Sequence, residues 1–301
     1  MPRELRNIGA SVRARLLDRA RAERSDFQIL LTRYALERLL YRLSVSPHRD
    51  RFILKGAMLF VTWVADPFRP TRDLDLLGHG DNDAESIAET FRAICAQPVA
   101  DDGVTFDVAA LMAAPIREEV EYGGVRVRTT AIIAGGAHSD PGRHWLRRCG
   151  DASAHRNRLS RFARRSRAAS SSLPCGNGRG REIRGIGYAR HCQQPAQDFY
   201  DLWLIAKTFD LDRSVLTTAV QNTFGRRQTA LPGETPLGLS DAYAETWDNQ
   251  WRAFLGRERM AAAPQALATV VADLRGFLLP LAETIEGDWQ WAPKVGWFRP
   301  P

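Results

Sequence analysis

The chain has 301 residues, four cysteines and a formal net charge of +7, a length that allows one large domain or two smaller ones with ample core. No run of about 18 apolar residues occurs, so no membrane span is expected. The opening segment Met1 to Asp26 lacks the apolar stretch of a signal peptide, four cysteines make no disulfide scaffold, and a cytoplasmic location is therefore expected.

The first residues, 4–23, are Arg-rich, with Leu5, Ile8, Val12, Leu16 and Leu17 at helical spacing. Ser25 or Asp26 can cap a second helix, Phe27 to Leu43. Its Ile29, Leu36, Leu39, Leu40 and Leu43 form an apolar stripe that reads as core rather than as a partner surface. Ser44, Val45, Ser46 and Pro47 break that helix.

The next stretch, Leu54 to Leu77, carries the chemistry. Lys55-Gly56-Ala57 is a small-residue turn at the head of an apolar, helix-like run from Met58 to Val64, which Asp66-Pro67 ends. Arg69, Thr71 and Arg72 then lead into Asp73-Leu74-Asp75-Leu76-Leu77. In a strand, alternate residues share a face, so Leu74 and Leu76 face a core while Asp73 and Asp75 project together. Two carboxylates that close repel unless a cation sits between them, and Mg²⁺ takes one or two carboxylates completed by substrate phosphates. A glycine turn opening a helix offers backbone N–H groups to a phosphate. These are the parts of a phosphoryl or nucleotidyl transfer site. The plainer alternative is a surface strand beside an ordinary turn.

Asp83 to Cys95 reads as an amphipathic helix with Ile87, Phe91 and Ile94 inward and Cys95 as a buried small hydrophobe. Val104 to Asp107 is a short strand. Ile116 to Tyr122 and Val125 to Ile133, around Gly123-Gly124, carry a hairpin signal.

The glycine turn followed by Arg-x-Thr-x-Asp-x-Asp resembles the AbiEii/AbiGii toxin family of nucleotidyltransferases. Gln197-Asp198-Phe199-Tyr200-Asp201-Leu202-Trp203 resembles a later motif of the same family, with Gln where the family has Lys, and Ala57 departs from the family's second small residue. The resemblance covers about residues 25–135 and 196–260. It implies an α+β fold: a nucleotidyltransferase-like mixed sheet with flanking helices, then a helical C-terminal region. It implies the toxin half of a type IV toxin–antitoxin or abortive-infection system, with a cognate antitoxin as partner. The implied reaction moves a nucleoside monophosphate from an NTP to an acceptor hydroxyl, tRNA being one acceptor class. Asp73 and Asp75 would hold Mg²⁺, Gly56 and Ala57 would cradle the triphosphate, and Lys55 or Arg72 would neutralise it. Asp198 and Asp201, three apart on one helix face, would support the site; the alternative for them is ordinary charge at a helix N-terminus.

Residues 137–195 stand apart. They hold 13 Arg and no Lys against Asp140, Asp151 and Glu182, so the window carries +10 and the remainder −3. By resemblance a third carboxylate belongs on a strand here, but no strand alternation or helix stripe is visible. Three readings compete. One is a basic disordered arm for nucleic acid. Another is zinc binding by His138, His144, Cys149, His155, Cys175, His191 and Cys192, which lack any C-x₂-C or H-x₃-H unit. The third is a pair of compensating frameshifts, opening near Gly136 and closing near Gln197. Read one nucleotide later, His138 to Arg148 permits a segment that resembles the family's third-acid strand, Gly176 to Gly185 permits one that resembles the family's next helix, and Gln193 to Gln197 permits a Lys before Asp198. The third reading is favoured, and in the chain as written neither Asp140 nor Asp151 is given a catalytic role.

Beyond it, Asp198 to Phe209, Asp212 to Phe224 and Ala242 to Leu255 read as helices, and Pro264 can open a final helix to about Leu279. Phe199, Leu202, Trp203, Ile205 and Ala206 form the apolar side of the first, with Lys207 at the surface. Trp289, Trp291 and Trp297 in the tail are expected to dock on the chain itself. The organisation expected is thus a core over 1–136, the anomalous segment 137–197 and a helical region over 198–301. Set against the enzyme are a non-catalytic remnant and a basic nucleic-acid-binding protein.

Overall fold

A computed structural model describes residues 7–59, 71–80, 83–116, 124–133, 146–149, 195–226, 229–258, 260, 262–283 and 285–301. The chain forms two compact units, residues 1–171 and 172–301. The Asp66-Pro67 helix end and nearly all of the Met58–Val64 run lie outside the described residues. So do residues 1–6, the Gly123 turn position and most of the basic window. Among the described residues no helix is long and apolar enough to cross a membrane.

The first unit opens with α1 (Ile8–Glu23) and α2 (Phe27–Val45). Asp26 caps α2 by accepting from the backbone of Gln28 and Ile29, as its position before the apolar stripe suggests. The helix runs two residues past the expected stop. Ser44 donates its hydroxyl to Tyr41 O, and Ser46 donates both its hydroxyl and its N–H to Leu43 O, so these serines close the last turn rather than break it.

A sheet follows. Strand β1 (Phe52–Lys55) runs antiparallel to β2 (Leu74–Gly78), pairing Phe52 with Gly78, Leu54 with Leu76 and Lys55 with Asp75. Helix α3 (Ala84–Cys95), capped by Asp83, packs beside α2. Strand β3 (Val104–Phe106) comes next, then β4 (Met112–Ile116), β5 (Gly124–Arg128), β6 (Ala131–Ile133) and β7 (Leu146–Cys149).

Two expectations change here. The hairpin pairs β4 with β5 in the register Ile116 to Gly124, and residues 117–122 of the expected first strand lie outside the described residues. The run after the glycines splits: Thr129 donates its hydroxyl to Asp107 O while Thr130 O accepts from Asp107 N, and β6 turns away to pair with β3. Second, the basic window contains a strand after all. β7 lies parallel to β2, with Leu74 opposite Leu146 and Asp75 opposite Arg147, and β5 lies against it. A ladder needs only backbone groups, so the free edge of β2 recruits a segment whose side chains show no alternation.

The core explains the sheet's position. Leu36, Leu39, Leu40 and Leu43 of α2 and Ile87, Phe91 and Ile94 of α3 meet Phe52, Leu54, Leu74, Leu76, Val125 and Val127 from the strands. Each such side chain, fully buried, contributes about 2 kcal/mol. Phe52 meets Phe91 edge-on at 5.3 Å. Cys95 joins the core as expected, and burial pushes its thiol up to about 12. Arg42, also buried, is satisfied by both carboxylate oxygens of Asp102 at 2.7 and 3.0 Å and by Val104 O, which ties α2 to the start of β3.

The second unit contains α4 (Pro195–Thr208), β8 (Leu211–Asp212), α5 (Arg213–Arg226), α6 (Asp241–Glu258) and α7 (Leu267–Leu278). Strands β9 (Gln290–Ala292) and β10 (Gly296–Phe298) close the chain. It is therefore not purely helical: β8, β9 and β10 form a small antiparallel sheet. The tail tryptophans do dock on their own unit, with Trp291 Nε1 donating to Ala206 O at 2.7 Å and Trp297 Nε1 to Phe277 O at 3.0 Å.

Helix α7 starts at Leu267, not at Pro264. Trp251 Nε1 donates to Pro264 O, and Asp248 accepts from Leu267 N, so the cap is supplied by α6. Lys207 is at the surface as expected and pairs with Asp273 at 3.0 Å. Asp212 accepts from the Ser214 hydroxyl and from Val215 N at the head of α5; these bonds, the Ser214 hydroxyl first, hold its carboxyl below the usual range.

Candidate active site

The site is built at the open end of β1 and β2. β1 stops at Lys55, and Gly56 follows with φ of +66°, in the left-handed region. Only glycine enters that region without steric cost. The bend turns inward because the residues after it are apolar: Ala57 and Met58 are buried, at 8% and 0% exposure. Leu59 N donates to Gly56 O at 3.1 Å and starts a helical turn. The bend thus has the form of a strand leading through glycine into a helix start, a backbone form that can offer N–H groups to an anion.

Asp75 meets this bend directly. Its Cα is the antiparallel partner of Lys55. A Cβ added to Gly56 would lie 2.5 Å from Asp75 Oδ2, closer than real Cβ contacts come. The glycine is therefore required twice, for its backbone conformation and for the space that the carboxylate fills. Asp75 is half-buried and its neighbours Leu74 and Leu76 are each 1% exposed, so core packing fixes which way the strand faces.

Asp73 lies just outside β2, one residue ahead of it, rather than within the strand as expected. The Thr71 hydroxyl accepts from Asp73 N at 3.3 Å and donates to Asp73 O at 3.2 Å. These bonds occupy both backbone groups of Asp73 and keep it off the ladder. Its side chain is exposed, as is that of Arg72; Lys55 is half-buried. Thr71 is a positioning residue that sequence reading gave no role, although a hydroxyl two residues before the acid is the signal of such a turn.

The residues fit a hard divalent ion. Two carboxylates two positions apart match the donor set that Mg²⁺ takes when substrate oxygens complete its shell. Among the described residues no three His, Cys, Asp or Glu side chains gather into a self-sufficient metal cage. The strand beside β2 brings no further acid, since β7 carries Leu146, Arg147, Arg148 and Cys149, with Arg147 at the register position of Asp75.

Asp198 and Asp201 lie in the second unit, on α4. Asp198 is half-buried and Asp201 is 3% exposed. The buried side of α4 includes Phe199, Leu202, Ile205 and Ala206 as expected, and also Tyr200; Trp203 is half-buried with its Nε1 donating to Asp273 at 2.9 Å. Replacing Gly56 by Ala should cost about 1–2 kcal/mol in folding stability from the backbone alone. The same change should displace Asp75 and weaken any metal–nucleotide binding; chemical denaturation and nucleotide titration of G56A check both, and an unchanged midpoint would contradict the left-handed bend.

A protein-family model described as nucleotidyl transferase AbiEii toxin, type IV toxin–antitoxin system, matches residues 38–143 and 178–273. The match takes in Gly56, Asp73 and Asp75 in the first unit and Asp198 and Asp201 in the second, and it breaks over the most Arg-rich stretch of the chain. No curated protein matches the chain. The two matched segments cover well over half of the sequence, and the chain belongs to the AbiEii family of nucleotidyltransferase-like type IV toxins.

Proposed function

We propose that the protein transfers a nucleoside monophosphate from an NTP to an acceptor hydroxyl. The observation that supports this reading is the close approach of the Asp75 carboxylate to the Gly56 bend, where a Cβ would lie 2.5 Å from Asp75 Oδ2. Gly56 and Ala57 would hold the triphosphate through backbone N–H groups, with Lys55 and Arg72 neutralising its outer charge. Asp73 and Asp75 would hold Mg²⁺, which when bound supplies charge stabilisation on the triphosphate oxygens. The acceptor hydroxyl gives up its proton to solvent as its oxygen bonds to the α-phosphorus, the bond to the bridging oxygen breaks, and pyrophosphate leaves in line. The side chains contribute position and field rather than covalent chemistry. The acceptor is a hydroxyl of an RNA, tRNA being the class that the family resemblance implies. Family membership implies a cognate antitoxin.

A second reading, a weakened or non-catalytic remnant, is favoured by one observation: Arg147 occupies the register position opposite Asp75, where an acid would share the load of a metal-bound transition state. We also read the basic window as an out-of-frame segment, a reading supported by the family match breaking over residues 144–177. Re-sequencing the coding DNA across residues 130–200 is expected to show that the shifted frame spells a strand with an acid, an amphipathic segment and a Lys before Asp198. A gene that spells none of these in that frame overturns the reading.

The function itself is tested with labelled NTP, Mg²⁺ and bulk RNA. Incorporation should fall by about a hundredfold or more in Asp73→Asn and Asp75→Asn, and Arg147→Asp should raise it. Equal incorporation by wild type and both Asn variants would sink the transferase reading. An inactive wild type that gains activity through Arg147→Asp identifies the remnant.

A further inference from the structure

The second unit contains a cavity of about 460 Å³ between α4, α6 and the head of α7, lined among others by Phe199, Tyr243, Trp247, Gln197, Gln250 and Arg257. Three of these rings form a column. Phe199 stacks on Tyr243 with centroids 5.6 Å apart and planes 21° apart, and Tyr243 stacks on Trp247 at 5.7 Å and 21°. The two inner rings are buried at 1% and 5% exposure, while Trp247, at the end of the column, is half-buried. Tyr243 and Trp247 are four apart on α6, so the helix itself sets their spacing. The column ends on Trp247, which lines the cavity.

We propose that this cavity binds a nucleobase, stacked on Trp247 as the next ring of the column. Stacking on an aromatic platform is the physical basis of base binding in single strands and free nucleotides alike. The volume lies within the range of small-ligand sites, about 300–1,000 Å³. The Gln250 amide lines the same space. A glutamine amide offers a donor and an acceptor side by side, the pattern that pairs with the edge of a base. Arg257 stands at the rim, two-thirds exposed, and can meet one phosphate; its partner Glu258, 3.4 Å away, limits the charge there. Residues 196–301 carry more acidic than basic side chains, which disfavours a duplex tracked by its phosphates and favours a single nucleotide or the end of a strand.

The site differs from the carboxylate bend and needs no metal, so binding in EDTA tests it separately from the transferase reading. The full chain is titrated calorimetrically with AMP, with ribose 5-phosphate and with an adenosine-terminated RNA trinucleotide. Saturable binding of AMP or the trinucleotide, but not of ribose 5-phosphate, is expected. Trp247→Ala should weaken it about tenfold or more, Trp247→Phe should retain most of it, and Gln250→Ala, at an exposed position, should weaken it and change the preference among AMP, GMP, CMP and UMP. Tighter binding of the trinucleotide assigns the site to an RNA terminus; equal affinities assign it to a free nucleotide. No saturation at millimolar nucleotide, equal binding of ribose 5-phosphate, or wild-type affinity in Trp247→Ala or Gln250→Ala overturns the proposal.

Discussion

A carboxylate pressed against a glycine bend is the constraint on which the first unit's chemistry depends. Asp75 can occupy its position only because Gly56 has no side chain, and Gly56 can adopt its conformation only for the same reason. Neither residue achieves this alone. The antiparallel register of β1 and β2 brings the bend and the carboxylate together, and that register is fixed by Leu54, Leu74 and Leu76 being buried on one face. A slip of one residue would turn the leucines to solvent and the acid into the core.

The scaffold around that register is rigid for ordinary reasons. α2 and α3 cover the inner face, and the Arg42–Asp102 pair pins α2 to β3. Removing one partner of a buried pair typically costs about 3–5 kcal/mol, because the other charge remains without compensation. Outside this packed region the site opens. Asp73 stands clear of the ladder, held by the Thr71 hydroxyl, so one acid is positioned by the sheet and the other by a turn.

Much of this was legible in the sequence, for identifiable reasons. The stripe in α2, the Asp26 and Asp83 caps and the inward face of α3 depend on local spacing, which a sequence displays directly. The acid pair and the glycine turn were visible as a pattern, but their contact was not, since it arises from pairing between segments about 20 residues apart. The split of the run after Gly124 into β5 and β6 was hidden because Thr129 and Thr130 have good strand propensity and only Asp107, far along the chain, turns them. The cap of α7 escaped for the same reason: Asp248 and Trp251 act from another helix. β7 lay in a stretch with no side-chain pattern, where only the unpaired edge of β2 could reveal a strand. Tyr243 and its stack were missed because a ring column is formed by two helices and is written in neither.

The central claim is that the bend and the two acids grip a metal ion and a phosphate chain as one unit. Manganese binding, followed by the loss of its free-ion paramagnetic resonance signal, tests this directly when measured with and without a non-hydrolysable NTP. The account predicts weak manganese binding alone, much tighter binding when the nucleotide is present, and loss of that enhancement in Asp75→Asn. Nucleotide that binds while manganese stays free, or an enhancement that survives the Asp75 change, would contradict it.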